Sequence, residues 1–129
     1  MAKLTFTDTA RQKWIQFDSD TEILIELITK AGLRDIGKKA AKRAKLTGED
    51  SADIADRLLG RAAVKGWKKI GAPEHPGLIV NGQPLEFTQE NVDMLMAKSL
   101  KFSRFVNETC IDENEFSEPV QELEEAKNG

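Results

Sequence analysis

The sequence predicts an α+β fold: a small antiparallel β-hairpin, then a helical domain of about four helices with a short β-ribbon set among them. Three observations point to it. Apolar residues alternate with period two over residues 11–17 and 21–29, the spacing of half-buried strands. They recur at three- and four-residue steps over 33–44, 54–62 and 92–106, which is helical spacing. Asn81-Gly82 joins Leu78-Ile79-Val80 to the stretch from Gln83 to Phe87, and both central residues of a two-residue type I′ hairpin turn need positive φ.

Leu4 and Phe6 alternate with Lys3, Thr5 and Thr7, a weak strand or an arm. In the first firm strand Trp14 and Gln16 point one way and Ile15 and Phe17 the other. Asp18-Ser19-Asp20 is turn chemistry, because these side chains bond nearby backbone. Thr21 to Thr29 supplies the second strand, rich in β-branched residues, with Ile23, Ile25 and Leu27 on one face. A two-stranded ribbon is marginal in water, so it must pack on helices or on another chain, and its open edges invite a further strand.

Leu33, Ile36, Ala40, Ala41 and Ala44 form a helical stripe opposite Lys38, Lys39, Lys42, Arg43 and Lys45. Thr47-Gly48-Glu49-Asp50-Ser51 breaks it, with Thr47 or Ser51 as cap of a second helix carrying Ile54, Ala55, Leu58, Leu59 and Ala62 inward. Gly66 reads as the residue that ends this helix, leaving Trp67 at its foot. Two prolines and two glycines in Gly71 to Gly77 exclude regular structure there, and Pro84 limits the ribbon after Asn81-Gly82. Thr88 is the N-cap of the third helix, flanked by Phe87 and Val92 as a hydrophobic staple. Val92, Leu95, Met96, Leu100, Phe102, Phe105 and Val106 make one buried seam across two short helices that re-cap near Ser99.

At 129 residues the chain suits one domain over 1–110, followed at 111–129 by an acidic tail of disordered composition. From Asp112 onward seven acids face Lys127 alone, whereas the body before them has 18 basic and 15 acidic residues. Body and tail therefore carry opposite charge. No apolar run approaches a membrane span, and the first residues lack the apolar core of a signal peptide. One cysteine, Cys110, allows no internal disulfide and fits a reducing compartment. The expectation is a soluble intracellular protein.

No phosphate-binding glycine loop, paired-cysteine zinc pattern or nucleophile-elbow serine is present. His75, between Glu74 and Pro76, reads as a solvent-exposed loop residue, and Cys110 as a buried, inert thiol. Asp53 and Asp56 sit near a helix start, where carboxylates complement the dipole. These features predict no catalysis, cofactor or metal. The one alternative they support is a small DNA-binding regulator, because five cations lie within residues 38–45 and could neutralise several phosphates. The absence of interleaved aromatics and a pI near 5.3 weigh against nucleic acid.

Three short motifs stand in order: Ala63-Val64-Lys65-Gly66-Trp67, then Ile79 to Asn91 with its Pro84-Leu85-Glu86-Phe87-Thr88 helix start, then Phe102-Ser103-Arg104-Phe105-Val106. This arrangement resembles the tail assembly chaperones of long, flexible-tailed bacteriophages, as does the hairpin with Trp14 and Phe17 before Asp18-Ser19-Asp20-Thr21. The likeness covers roughly residues 11–110, with a longer and more proline-rich loop at 71–77. It implies a non-enzymatic protein of the bacterial host cytoplasm, not of the mature virion, that binds the tape measure protein and keeps it soluble while tail-tube subunits polymerise. It also implies self-association and a longer, frameshifted form, with which the final Lys127-Asn128 codons are compatible. In that setting Trp14, Ile23, Ile25 and Leu27, with Met94, are the candidate contacts for self-association or for the tape measure protein.

Overall fold

A computed structural model describes residues 11–116. The expected arm at residues 3–7 and the tail beyond residue 116 lie outside the described residues.

Strands β1 (Gln12–Gln16) and β2 (Thr21–Glu26) form the expected antiparallel hairpin, with Ile15 opposite Ile23 and Trp14 opposite Leu24. Its turn closes as the sequence suggests: the Asp20 N–H donates to Asp18 Oδ1 at 2.9 Å and the Phe17 N–H to the Thr21 carbonyl at 2.8 Å. Helices α1 (Lys30–Thr47) and α2 (Ser51–Ala63) follow and pack on each other. Thr29, expected within the second strand, instead caps α1 by accepting from the Gly32 N–H at 3.0 Å. Asp50 caps α2 through the Ala52 N–H at 2.7 Å, whereas Thr47 ends α1 and bonds the Arg43 carbonyl, and Ser51 is already helical. A carboxylate at the dipole's positive end outcompetes either hydroxyl.

The hairpin is not alone. Helix α2 ends at Ala63 and runs directly into β3 (Val64–Lys69), which pairs antiparallel with β2 and makes a three-stranded sheet in the order β1-β2-β3. The expectation that the helix continues to Gly66 with Trp67 at its foot is corrected. The residues misled because Leu59, Ala63 and Trp67 fall at four-residue steps. A register shift between Leu24 and Ile25 sets Ile23 opposite Trp67 and Ile25 opposite Val64, so Lys65 is the extra residue of a bulge. The bulge lets Val64 and Trp67 both face the core although they lie three positions apart, an odd step that would put them on opposite faces of a regular strand.

The loop after β3 leads to a ribbon of β4 (Ile79–Val80) and β5 (Gln83–Pro84). Its turn residues Asn81 and Gly82 have φ of 51° and 78°, as a type I′ turn requires. Helices α3 (Gln89–Lys98) and α4 (Leu100–Thr109) start at the expected caps: Thr88 Oγ1 accepts from the Asn91 N–H and Ser99 Oγ from the Phe102 N–H, each at 3.1 Å. Asn91 sits where a capping box would reach back, and its amide donates to the Glu86 carbonyl at 2.8 Å. The chain then passes into a 3₁₀ turn (Glu113–Phe116). Phe116 is buried and its carbonyl accepts from the Arg11 guanidinium at 2.6 Å, so the folded body extends past the residue-110 boundary.

The core lies between one face of the sheet and helices α2 to α4: Ile15, Ile23, Ile25, Leu59, Val92, Met96, Phe102 and Val106 meet there with Trp67 and Cys110. Helix α1 is peripheral. Ala40 is its buried residue, while Leu33 and Ala41, expected in the inward stripe, are exposed. Among the described residues no helix is long and apolar enough to cross a membrane.

Candidate interaction surfaces

Ile23 and Ile25 are fully buried, each on the inner face of β2, and Leu27 packs partly buried against the same core. Burying an isoleucine contributes about 2–3 kcal/mol, so these residues hold the domain together and offer a partner nothing to touch while it is folded. Met94 packs against the core on the helical side. Trp14 stands on the opposite face of the sheet. The five candidate contacts therefore do not converge, and Trp14 alone marks an accessible sheet surface.

That outer face is built by the pleat. Trp14 and Leu24 are cross-strand partners, both half-buried, and Gly66 of β3 lies beside them: a Cβ at Gly66 would stand 3.5 Å from Trp14 Cη2. Lys68 Nζ lies 4.1 Å from the centroid of the Trp14 ring and 3.4 Å from Glu22 Oε1, spanning the patch with its aliphatic stem. Gln12 bridges to Glu26 at 3.0 Å along the rim. The result is an apolar centre with a polar border. Because the Leu27 N–H donates to the Arg11 carbonyl and the Phe17 N–H to that of Thr21, the odd-numbered residues of β1 bond to β2. The backbone groups of Gln12, Trp14 and Gln16 thus point along the outer edge, where no described strand pairs.

The sequence reading missed a second surface. A groove of about 390 Å³ is lined by Phe17, Leu100, Lys101, Arg104, Phe105 and Glu108. Phe17 meets Phe105 edge-on at 5.1 Å and Phe102 at 6.0 Å, and Lys101 Nζ lies 4.9 Å from the Phe17 centroid. Leu100, expected in the buried seam, is 70 % exposed. Its position was legible in principle: Phe102 and Val106 define the buried ridge of α4, which turns Leu100, Arg104 and Glu108 to another ridge.

The groups that bear chemistry elsewhere are occupied structurally. His75 is half-buried, not exposed, and its Nδ1 accepts from the Gly77 N–H at 2.9 Å, which puts the proton of a neutral ring on Nε2. Cys110 is buried and burial pushes its thiol up to about 11. Among the described residues no group of three or more His, Cys, Asp and Glu side chains could hold a metal ion. The cations of α1 are exposed, and Lys39 pairs with Asp35 at 3.0 Å.

No protein-family model matches this chain, and the searches of curated proteins and of solved structures found no match to it.

Proposed function

We propose that this chain is a tail assembly chaperone of a long, flexible-tailed bacteriophage, a non-catalytic protein that binds the tape measure protein in the host cytoplasm and keeps it soluble. The observation that carries the reading is the half-buried Trp14–Leu24 sheet face beside the edge of β1 that no described strand pairs. An apolar centre with a polar border suits an extended apolar partner, and an open edge suits strand addition or a second copy. The ordered motifs at 63–67, 79–91 and 102–106 support the same reading through their resemblance to such chaperones. A contact with the tail tube protein and a longer frameshifted form belong to the proposal as well.

The test is co-expression with the tape measure protein. The chaperone should move that protein into the soluble fraction and co-purify with it, and the double variant Trp14→Ser, Leu24→Ser should lose the co-purification while keeping its circular dichroism. Aspartate at Ile23 or Ile25 would not serve, because an unpaired buried charge unfolds the domain. An insoluble tape measure protein, together with steeply salt-dependent DNA binding through residues 38–45, would replace this reading with the regulator.

A further inference from the structure

We infer that a second copy of this chain takes the outer edge of β1, with β1 antiparallel to β1 across a two-fold axis at Trp14, so that two three-stranded sheets join into one. This rests on the reading above for the edge and for the Trp14–Leu24 face, and deepens it by committing that edge to a like chain.

Hydrogen bonding sets the register. The N–H and C=O groups that point outward belong to Gln12, Trp14 and Gln16, evenly placed about Trp14. Setting Trp14 opposite Trp14 sets Gln12 opposite Gln16, and every outward group of these residues gains a partner. A slip of two positions leaves one of the three unpaired in each copy. Nothing in the strand blunts this edge: β1 pairs with β2 without a bulge, contains no proline, and the side chains of the outward-bonding residues carry no charge.

Charge selects the same partner. The first turn of α4 lies by Phe17, where Lys101 Nζ is 4.9 Å from the ring centroid. Its last turn lies by the start of β1: the Cys110 carbonyl accepts from the Ile28 N–H, and the following 3₁₀ turn meets Arg11 and Lys13. Lys101 and Arg104 therefore stand toward the Phe17 end of β1, and Glu108, Asp112, Glu113 and Glu115 toward the Arg11 end, where Glu115 is 3.9 Å from Lys13. The two-fold axis brings the basic end of each copy to the acidic end of the other. Asp18 and Asp20 of the hairpin turn fall past the paired residues, beside Arg11 of the copy. On the outer face the apolar strip doubles: Leu24 and Trp14 of one copy continue into the same pair of the other, about 14 Å across at about 4.8 Å per strand.

Sedimentation equilibrium of the full chain on its own should give twice the 14.4 kDa of one copy. Gln12→Lys with Gln16→Lys sets like charges opposite each other twice and should raise the dimer dissociation constant about tenfold, whereas Gln12→Lys with Gln16→Glu should restore it. Cross-linking reads the register, since Cys110 is buried. A mixture of Gln12→Cys and Gln16→Cys chains should oxidise to a disulfide-linked dimer, because opposite Cα atoms lie about 5.5 Å apart. Either variant alone should not, its two cysteines lying about 14 Å apart along the strands. A dimer indifferent to the charge pairs, cysteines that link equally well alone and mixed, or a dimer that forms only once residues 1–10 are removed would each overturn the inference. A monomer that still solubilises the tape measure protein would overturn it too, and would leave the chaperone reading standing.

Discussion

The indole Nε1–H of Trp67 donates to the Leu85 carbonyl at 2.7 Å, tying the middle of β3 to the end of the β4–β5 ribbon. The same ring meets Phe87 edge-on at 5.0 Å and Phe102 at 6.1 Å, so one side chain joins the sheet, the ribbon and α4. Trp67→Phe keeps most of the packing and deletes the donor, leaving a partly buried carbonyl unpaired. Urea unfolding should show a loss of about 1.5–3 kcal/mol.

Gly37 and Gly60 are both helical, yet they should respond in opposite senses. Nothing lies within 4 Å of a Cβ at Gly37, so Gly37→Ala should stabilise α1 by about 0.5–1 kcal/mol. At Gly60 a Cβ would stand 2.6 Å from Met96 Cγ and 3.2 Å from Val92 Cγ1, where α2 touches α3. Gly60→Val should therefore cost about 2–3 kcal/mol, read as a lower thermal midpoint.

Arg61 and Asp93 link α2 to α3 through a bidentate pair at 2.8 and 3.2 Å. The Arg61 hydrogen bond holds the Asp93 carboxyl below its ordinary value of 3.8, with a smaller contribution from Gln89. A depressed carboxyl stabilises the fold above its unfolded value and loses that contribution as pH falls through the folded value. The guanidinium is half exposed, so screening limits the pair to below about 1 kcal/mol. Asp93→Asn should accordingly destabilise by that amount at pH 7, and the difference from the parent chain should shrink as pH falls below the ordinary carboxyl value of 3.8 in acid titrations of stability.

Cys110 should resist maleimide at pH 8 in the folded chain and react only as fast as the domain opens. Its thiol is raised to about 11 by burial from an ordinary 9.0, so the unfolded chain ionises first. Stability should fall as pH rises through that window, and Cys110→Ala should remove this part of the alkaline loss. Rapid labelling with retained circular dichroism would contradict the burial.

Local chemistry was strong enough to be read directly from the residues. The Asn81-Gly82 turn, the caps Thr88 and Ser99 and the Asp18-Ser19-Asp20 turn of the hairpin all depend on neighbours within a few positions, and the α+β class followed from them and from the apolar periodicity. Tertiary pairing decided the rest. Residues 64–67 suit a helix end by spacing, but β2 presents an unpaired edge to them, and ladder hydrogen bonds with burial of Val64 and Trp67 outweigh weak helical preference. Once β3 took that edge, Ile23 and Ile25 became core and the accessible surface moved to Trp14 and Leu24. Leu100 likewise faces outward because Phe102 and Val106 fill the inner ridge of α4, a choice made by what lies across the core and not by its own spacing.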